Sequence, residues 1–316
     1  MVTDNGNDAV ATRFTAATLA GFILVIDLLS QQQLIVVVSQ PRSGTTLLQH
    51  LLGSHSAIHT VPEPWLLLPA CEMLCDHLST AVYNRRHASL AIKEFLENTS
   101  GADLEMTSGI RQMVLGTYGR SLQGAGKTWF LDKTTRYYHI IDELNVLLPE
   151  ACYIILRRNP LAVLASVWKT NFRGDWIRMF SQPDRVADLL VGPVKLAGEL
   201  ASAKLRRSVA LRYEDLVSQP DESLMSVCDR FGLEFEPEMV EYGDKVRFEA
   251  TTWVDPKSIY RYSRPVSEFV DRWKSEIATA QDKEIFRGYL SCLGPEVIGN
   301  LGYDYDALMQ QIETLK

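Results

Sequence analysis

Residues 34–53 constrain the fold more tightly than any other stretch of the chain. Residues 34–38 form an unbroken apolar, largely β-branched run, which suits a parallel strand buried on both faces. Residues 39–46 are small, polar and basic. Leu47, Leu48, Leu51 and Leu52 then recur at helical spacing, and Gly53 stands where a C-terminal cap falls. Strand, tight loop and helix in that order aim the backbone N–H groups of Ser43, Gly44, Thr45 and Thr46 at an anion. The helix dipole adds about half a positive charge at that point.

The loop departs from the nucleoside-triphosphatase form G-x-x-x-x-G-K-[ST]. Aligned on Gly44, the chain has Ser39 for the first glycine and Thr45 for the lysine. Thr46 keeps the hydroxyl, and the cation sits within the loop as Arg42. A loop without the lysine that reaches the β- and γ-phosphates suits a terminal anion, with no long phosphate chain and no obligatory magnesium.

Further buried strands are expected at 128–132, 152–156 and 208–213, each followed by a helical pattern. Pro160 is placed for the first position of a helix running through Ser166 toward Lys169. Strands alternating with helices predict an α/β fold: a P-loop-type, doubly wound, mainly parallel sheet flanked by helices, in a single domain over 34–316. Residues 1–33 are expected to be a leader or a packed helix. The 14 residues at 16–29 are apolar, yet they include Asp27 and fall short of the roughly 20 that a membrane span needs. Residues 79–126 carry helices and loops punctuated by glycine.

Composition narrows the function. The net charge of −7 argues against nucleic acid as a general partner. Five scattered cysteines fit a reducing, cytoplasmic setting better than a disulfide framework. Cys71 and Cys75 lack the nearby Cys or His pair that would complete a metal shell, so no metal site is expected. Arg42, Lys133, Arg158 and Tyr213 all fall at or just beyond strand ends, where ligands of such sheets bind. Cationic groups gathered there in an acidic protein predict a polyanionic ligand. Arg42 and the loop amides can hold one anionic group, and Arg158 with Ser166 a second. Two separated anion sites fit a nucleotide phosphorylated at both ends better than ATP.

On these residues the chain resembles the sulfotransferases that use 3′-phosphoadenosine 5′-phosphosulfate (PAPS). Pro41-Arg-Ser-Gly-Thr-Thr46 resembles their 5′-phosphosulfate loop. Arg158 and Ser166, eight apart with Pro160 two after the arginine, resemble their 3′-phosphate motif. Arg212-Tyr-Glu-Asp-Leu216 is similar to their later strand motif, whose tyrosine lies against the adenosine. The resemblance covers roughly residues 34–273 and is nearer to the bacterial and tyrosylprotein branch than to the cytosolic phenol and steroid enzymes. It implies Glu63, 21 residues after Arg42, as general base, and Lys133 as a catalytic cation beside Arg42. It also implies that Arg264, in a basic-Pro-Val element, and Ser258 reach the cofactor, and that adenosine 3′,5′-bisphosphate (PAP) is the product.

Glu63 lies between Pro62 and Pro64, so its carboxylate is carried on a stiff, extended segment beside Trp65. The expected reaction is in-line sulfuryl transfer to a hydroxyl acceptor: a small molecule, glycan, lipid, polyketide or peptide. Trp168, Phe172 and Trp176 are candidates to line the acceptor pocket, or else core. His55, His59 and His139 read as structural rather than basic groups. Two other readings remain open from sequence: a P-loop kinase using ATP and magnesium, and a nucleotide-binding protein without turnover.

Overall fold

The structure is a computed structural model that describes residues 29–73, 85–243, 245–246, 248 and 261–315. Residues 1–28, Cys75, Trp253 and Ser258 lie outside the described residues. Five parallel strands make the sheet: β1 (Leu34–Ser39), β2 (Ile58–Thr60), β3 (Trp129–Lys133), β4 (Cys152–Arg157) and β5 (Ser208–Arg212), in the order β2-β3-β1-β4-β5. β1 is central, and all six of its residues are buried. An apolar run with no polar alternation requires cover on both faces, and the fold supplies it.

Val36, Val38, Phe130, Tyr153 and Ile155 face one layer, which contains α2 (Leu67–Glu72), α4 (Ala102–Gln123) with α3 (Arg85–Glu97) packed on it, α5 (Ile141–Leu147) and α8 (Pro183–Ser202). Ile35, Val37, Leu131, Ile154 and Leu156 face the other, built on α1 (Thr45–Gly53), α9 (Tyr213–Ser218) and α10 (Pro220–Phe231). Each fully buried side chain of this size stabilises the fold by about 1.5–3 kcal/mol relative to exposure. β1 leads out toward β2 on one side, and β4 leads toward β5 on the other. The crevice of this doubly wound sheet therefore opens beyond the carboxyl ends of β1 and β4.

The structure corrects several sequence-based boundaries. β3 begins at Trp129 rather than Thr128 and includes Lys133. Tyr213 starts α9 instead of ending β5. α6 (Pro160–Ser166) does not run on as an α-helix; residues Val167–Asn171 widen into a π-helical turn. β2 has only three residues and held too little apolar pattern to be seen. A third apolar cluster joins α6, α7 (Trp176–Phe180) and α8 to the helices Arg272–Glu276, Ala280–Asn300 and Tyr305–Thr314, whose bounds are not legible in the sequence. Among the described residues no helix is long and apolar enough to cross a membrane.

Candidate functional site

The turn after β1 is built around two left-handed residues. Arg42 has φ +71° and Gly44 has φ +92°. Gly44 is the N-cap of α1 and has no side-chain cap bond. The first-turn amides of α1 have no intrahelical acceptor by construction and are aimed outward. The glycine is required twice over. Its φ suits a residue without Cβ, and a Cβ there would sit 2.3 Å from Tyr213 Cδ2 and 2.7 Å from Cε2. The tyrosine ring thus lies against the loop, on the side where a Cβ would project.

The second motif meets this loop directly. Asn159 caps α6 by accepting from the Leu161 amide, with Pro160 at the first helical position. This fixes the direction of Arg158 at the end of β4. Arg158 Nη1 donates to the Arg42 carbonyl at 3.1 Å, and Nη2 to the Phe269 carbonyl at 3.2 Å. Its guanidinium lies 4.1 Å from the centre of the Tyr213 ring. Burial pushes the Arg158 pKa down, while Tyr213 and Glu214 pull it back up. Arg42 reaches across in turn: Nε donates to Ser166 Oγ at 3.0 Å and Nη2 lies 3.4 Å from Thr170 Oγ1. Thr170 was not read from the sequence. The π turn sets it one wide turn after Ser166, so the two hydroxyls share a face.

These residues fit a doubly anionic ligand. After the protein's own bonds are counted, the buried Ser43 Oγ and Arg158 Nε still have no hydrogen-bond partner among the described residues. They leave capacity for hydrogen bonds from a ligand, as do other buried polar atoms elsewhere in the described residues, such as Trp273 Nε1 and Glu199 Oε2. The first-turn amides, Ser43 and Arg42 form one end of the cradle. Arg158, Ser166 and the Tyr213 ring form the other.

Glu63 and Lys133 are brought together from segments 70 residues apart. Lys133 Nζ lies 2.7 Å from Glu63 Oε1, with side chains only 4% and 9% exposed. Lys133 ends β3 in register with Val37 of β1, just before the loop. The other carboxylate oxygen, Glu63 Oε2, accepts from the Trp65 indole N–H at 3.2 Å. Trp65 itself has φ +56°, and its amide donates to Thr134 Oγ1 at 3.3 Å.

Behind this pair, on the opposite face of β3, Asp132 is fully buried. Its Oδ2 accepts from the hydroxyls of Tyr118 and Tyr137, and its Oδ1 from Thr134 at 3.2 Å. Burial pushes its carboxyl up to about 6, against those hydrogen bonds and with the help of nearby Glu63. A carboxyl raised from 3.8 binds more protons folded than unfolded between the two values, so it opposes folding as pH rises through that window. Relative to Asp132→Asn, the wild-type protein should lose about 2–3 kcal/mol of stability between pH 3.5 and 7. Urea unfolding of both proteins at the two pH values measures this, and a constant gap would show that Asp132 titrates alike in the folded and unfolded states, with no shift from burial.

The remaining candidates are less central. Arg264 is exposed and paired with Glu241 at 3.0 Å. Ser258 lies outside the described residues. Trp168, Phe172 and Trp176 are all buried in the C-terminal helical cluster, with the two indoles stacked at 3.9 Å. His55 and His59 are tied to the Glu234 carbonyl and to Ser121. The His139 ring lies 4.1 Å from that of Tyr138, tilted by 36°. Among the described residues no three His, Cys, Asp or Glu side chains gather as a metal site.

Comparison with known proteins adds independent findings. A family model described as the sulfotransferase family matches residues 34–237. The nodulation protein NoeE of Sinorhizobium fredii (strain NBRC 101917 / NGR234) is 30% identical over 284 residues, 84% of this chain and 64% of its own length. An uncharacterized protein of Aquifex aeolicus (strain VF5) is 24% identical over 76% of this chain and 30% of its own length. The chain therefore spans less than two thirds of each of these relatives.

Two solved structures share the fold. The sulfotransferase domain from the curacin biosynthetic pathway superposes with a TM-score of 0.54 at 21% identity, covering 85% of this chain and 97% of that one. The sulfotransferase domain of the Synechococcus PCC 7002 olefin synthase gives 0.54 at 22%, covering 85% and 93%.

Proposed function

The chain belongs to the sulfotransferase family, and from that premise we propose that it transfers the sulfuryl group of PAPS to a hydroxyl acceptor by in-line displacement. Glu63 is the general base in this reading. The observation that carries it is the contact between the two anion motifs, in which Arg158 donates to the Arg42 carbonyl and Arg42 donates to Ser166. Two cations from positions 116 residues apart meet at the ends of adjacent parallel strands. Such a site suits a ligand with phosphate at both ends.

When bound, the donor supplies an activated sulfuryl group attached to a phosphate oxygen. The chain's own residues do the rest. The first-turn amides, Thr46 and Arg42 hold the sulfated end and stabilise the negative charge that grows there, the preorganised electrostatic effect that usually dominates. Arg158 and Ser166 hold the 3′-phosphate, with Tyr213 beside the nucleoside. Lys133, in register with Val37 just before the loop, stands on the loop's side of the cradle and carries Glu63. Glu63 uses one acceptor position on each oxygen, toward Lys133 and Trp65. A carboxylate offers about four such positions, so capacity remains to take the proton of the acceptor hydroxyl. Enclosure of the pair excludes bulk water, which keeps the sulfuryl group from hydrolysis.

Calorimetric titration with PAP, against ATP with magnesium, tests the reading. Tight PAP binding that does not change with magnesium is expected. Arg158→Ala should weaken it about 10–100-fold, the range for losing one or two charge-assisted hydrogen bonds. Arg158→Lys, which keeps charge but loses the planar fork, should recover only part of the affinity. Preference for ATP with magnesium would replace this reading with a kinase.

A further inference from the structure

A buried carboxylate with no cation bonded to it is an expensive core residue, because taking a charge from water costs several kcal/mol unless compensated. Asp132 is such a group. It is fully buried, and its partners among the described residues are three hydroxyls, from Tyr118 on α4, Tyr137 just after β3, and Thr134. An apolar side chain of similar volume would hold α4 to β3 without that penalty. What an apolar side chain cannot do is orient a hydroxyl.

The orientation has a consequence for the segment that carries Glu63. Ionised, Asp132 only accepts hydrogen bonds, so the single Thr134 proton is committed to it. The lone pairs of Thr134 Oγ1 then face the Trp65 amide, which donates at 3.3 Å. Trp65 is one of four non-glycine residues held at positive φ among the described residues. For an aromatic residue that conformation is disfavoured and persists only where the surroundings over-determine it. Proline at position 64 stiffens the link to Glu63. The Trp65 indole N–H then closes back on Glu63 Oε2 at 3.2 Å. A continuous chain of contacts therefore runs from the buried carboxylate to Thr134, to the Trp65 backbone, to its indole and to Glu63.

We propose that Asp132 is a positioning residue for Glu63, acting through Thr134 and the strained Trp65 turn to fix where the carboxylate of the base stands. The inference rests on the reading of Glu63 as general base, but the contact chain can be tested without it.

The indole N–H of Trp65 is a reporter that needs no acceptor substrate. In ¹⁵N-labelled protein, Trp65→Phe assigns its signal among the six tryptophans, and Glu63→Gln gives the shift caused by losing the carboxylate. Asp132→Asn and Thr134→Val are expected to move the Trp65 indole signal by at least about half that shift, and Thr134→Ser to restore it. The indole signals of Trp168 and Trp273, in the C-terminal cluster, should stay in place, and PAP affinity should stay within about two-fold. With an acceptor that the wild type sulfates, both variants should lower kcat about 10–100-fold at nearly constant KM, the effect of misplacing a reacting group by about 1 Å. Neither should lower it further in a Glu63→Gln background.

An unmoved Trp65 signal in Thr134→Val overturns the proposal. So does an Asp132→Asn protein in which all six indoles move together, since that is the mark of a merely structural carboxylate. Full activity of Glu63→Gln, with the Trp65 signal still responding to Asp132→Asn, would remove the base assignment and leave the positioning chain standing.

Discussion

Glu63→Gln is expected to lower turnover about 10²–10⁴-fold, the range for general base catalysis, while PAP binds within about three-fold of wild type. Glutamine is the informative replacement. Glu63 shares an enclosed pair with Lys133 at 2.7 Å, and removing one partner of a buried pair strands the other at a cost of about 3–5 kcal/mol. The glutamine amide keeps an oxygen for Lys133, so the lysine retains an acceptor, but the group can no longer take a proton. Glu63→Ala removes both and should destabilise the protein as well as silence it. Comparing kcat, KM and melting temperature across the two variants separates proton transfer from packing. A Glu63→Gln enzyme with wild-type kcat would mean that another group, or water, takes the acceptor's proton.

The same pair explains what could be read from sequence and what could not. Arg42, Gly44 and the α1 amides are legible because a phosphate loop is a local object: strand, turn and helix start lie within 15 residues. Arg158 and Ser166 are legible for the same reason, through the strand-end position and the Asn159-Pro160 helix start. Glu63 is implied by the family resemblance, which expects a glutamate about 21 residues after the loop arginine, while the prolines on either side mark only a stiff segment. That its carboxylate bonds to Lys133 is a property of β3 lying beside β1, and strand order is not written in either segment.

The parts that escaped sequence reading share one cause. Asp132 reads as an ordinary polar residue at a strand end, because the tyrosines that bury it come from α4 and from the turn after β3. Thr170 needed the π-helical turn, which no local pattern announced. β2 is three residues long and gains its place by pairing with β3. The C-terminal helices pack on α6 and α8 rather than on the sheet, so their pattern carried no link to the site. Local geometry was visible; side chains placed by long-range packing were not.

Gly44→Ala should abolish donor binding, weakening PAP by at least about 100-fold, because one methyl group violates two constraints at once. At φ +92° an L-residue is strained by about 1–2 kcal/mol. The Cβ also arrives 2.3 Å from Tyr213 Cδ2, well inside van der Waals contact. The ring is not a loose end that can swing away: Tyr213 is buried and lies 4.1 Å from the Arg158 guanidinium. Moving it displaces Arg158, so damage at the loop is transmitted to the end of the cradle proposed for the 3′-phosphate. The two causes can be separated. Gly44→Ala with Tyr213→Ala relieves the overlap and leaves the strain, and it should bind PAP better than Gly44→Ala alone, though more weakly than Tyr213→Ala alone. If the second substitution recovers nothing, backbone strain accounts for the whole loss and the ring has no part in shaping the loop. If Gly44→Ala binds PAP like wild type, the loop does not hold the donor and the anion site must be sought elsewhere at the strand ends.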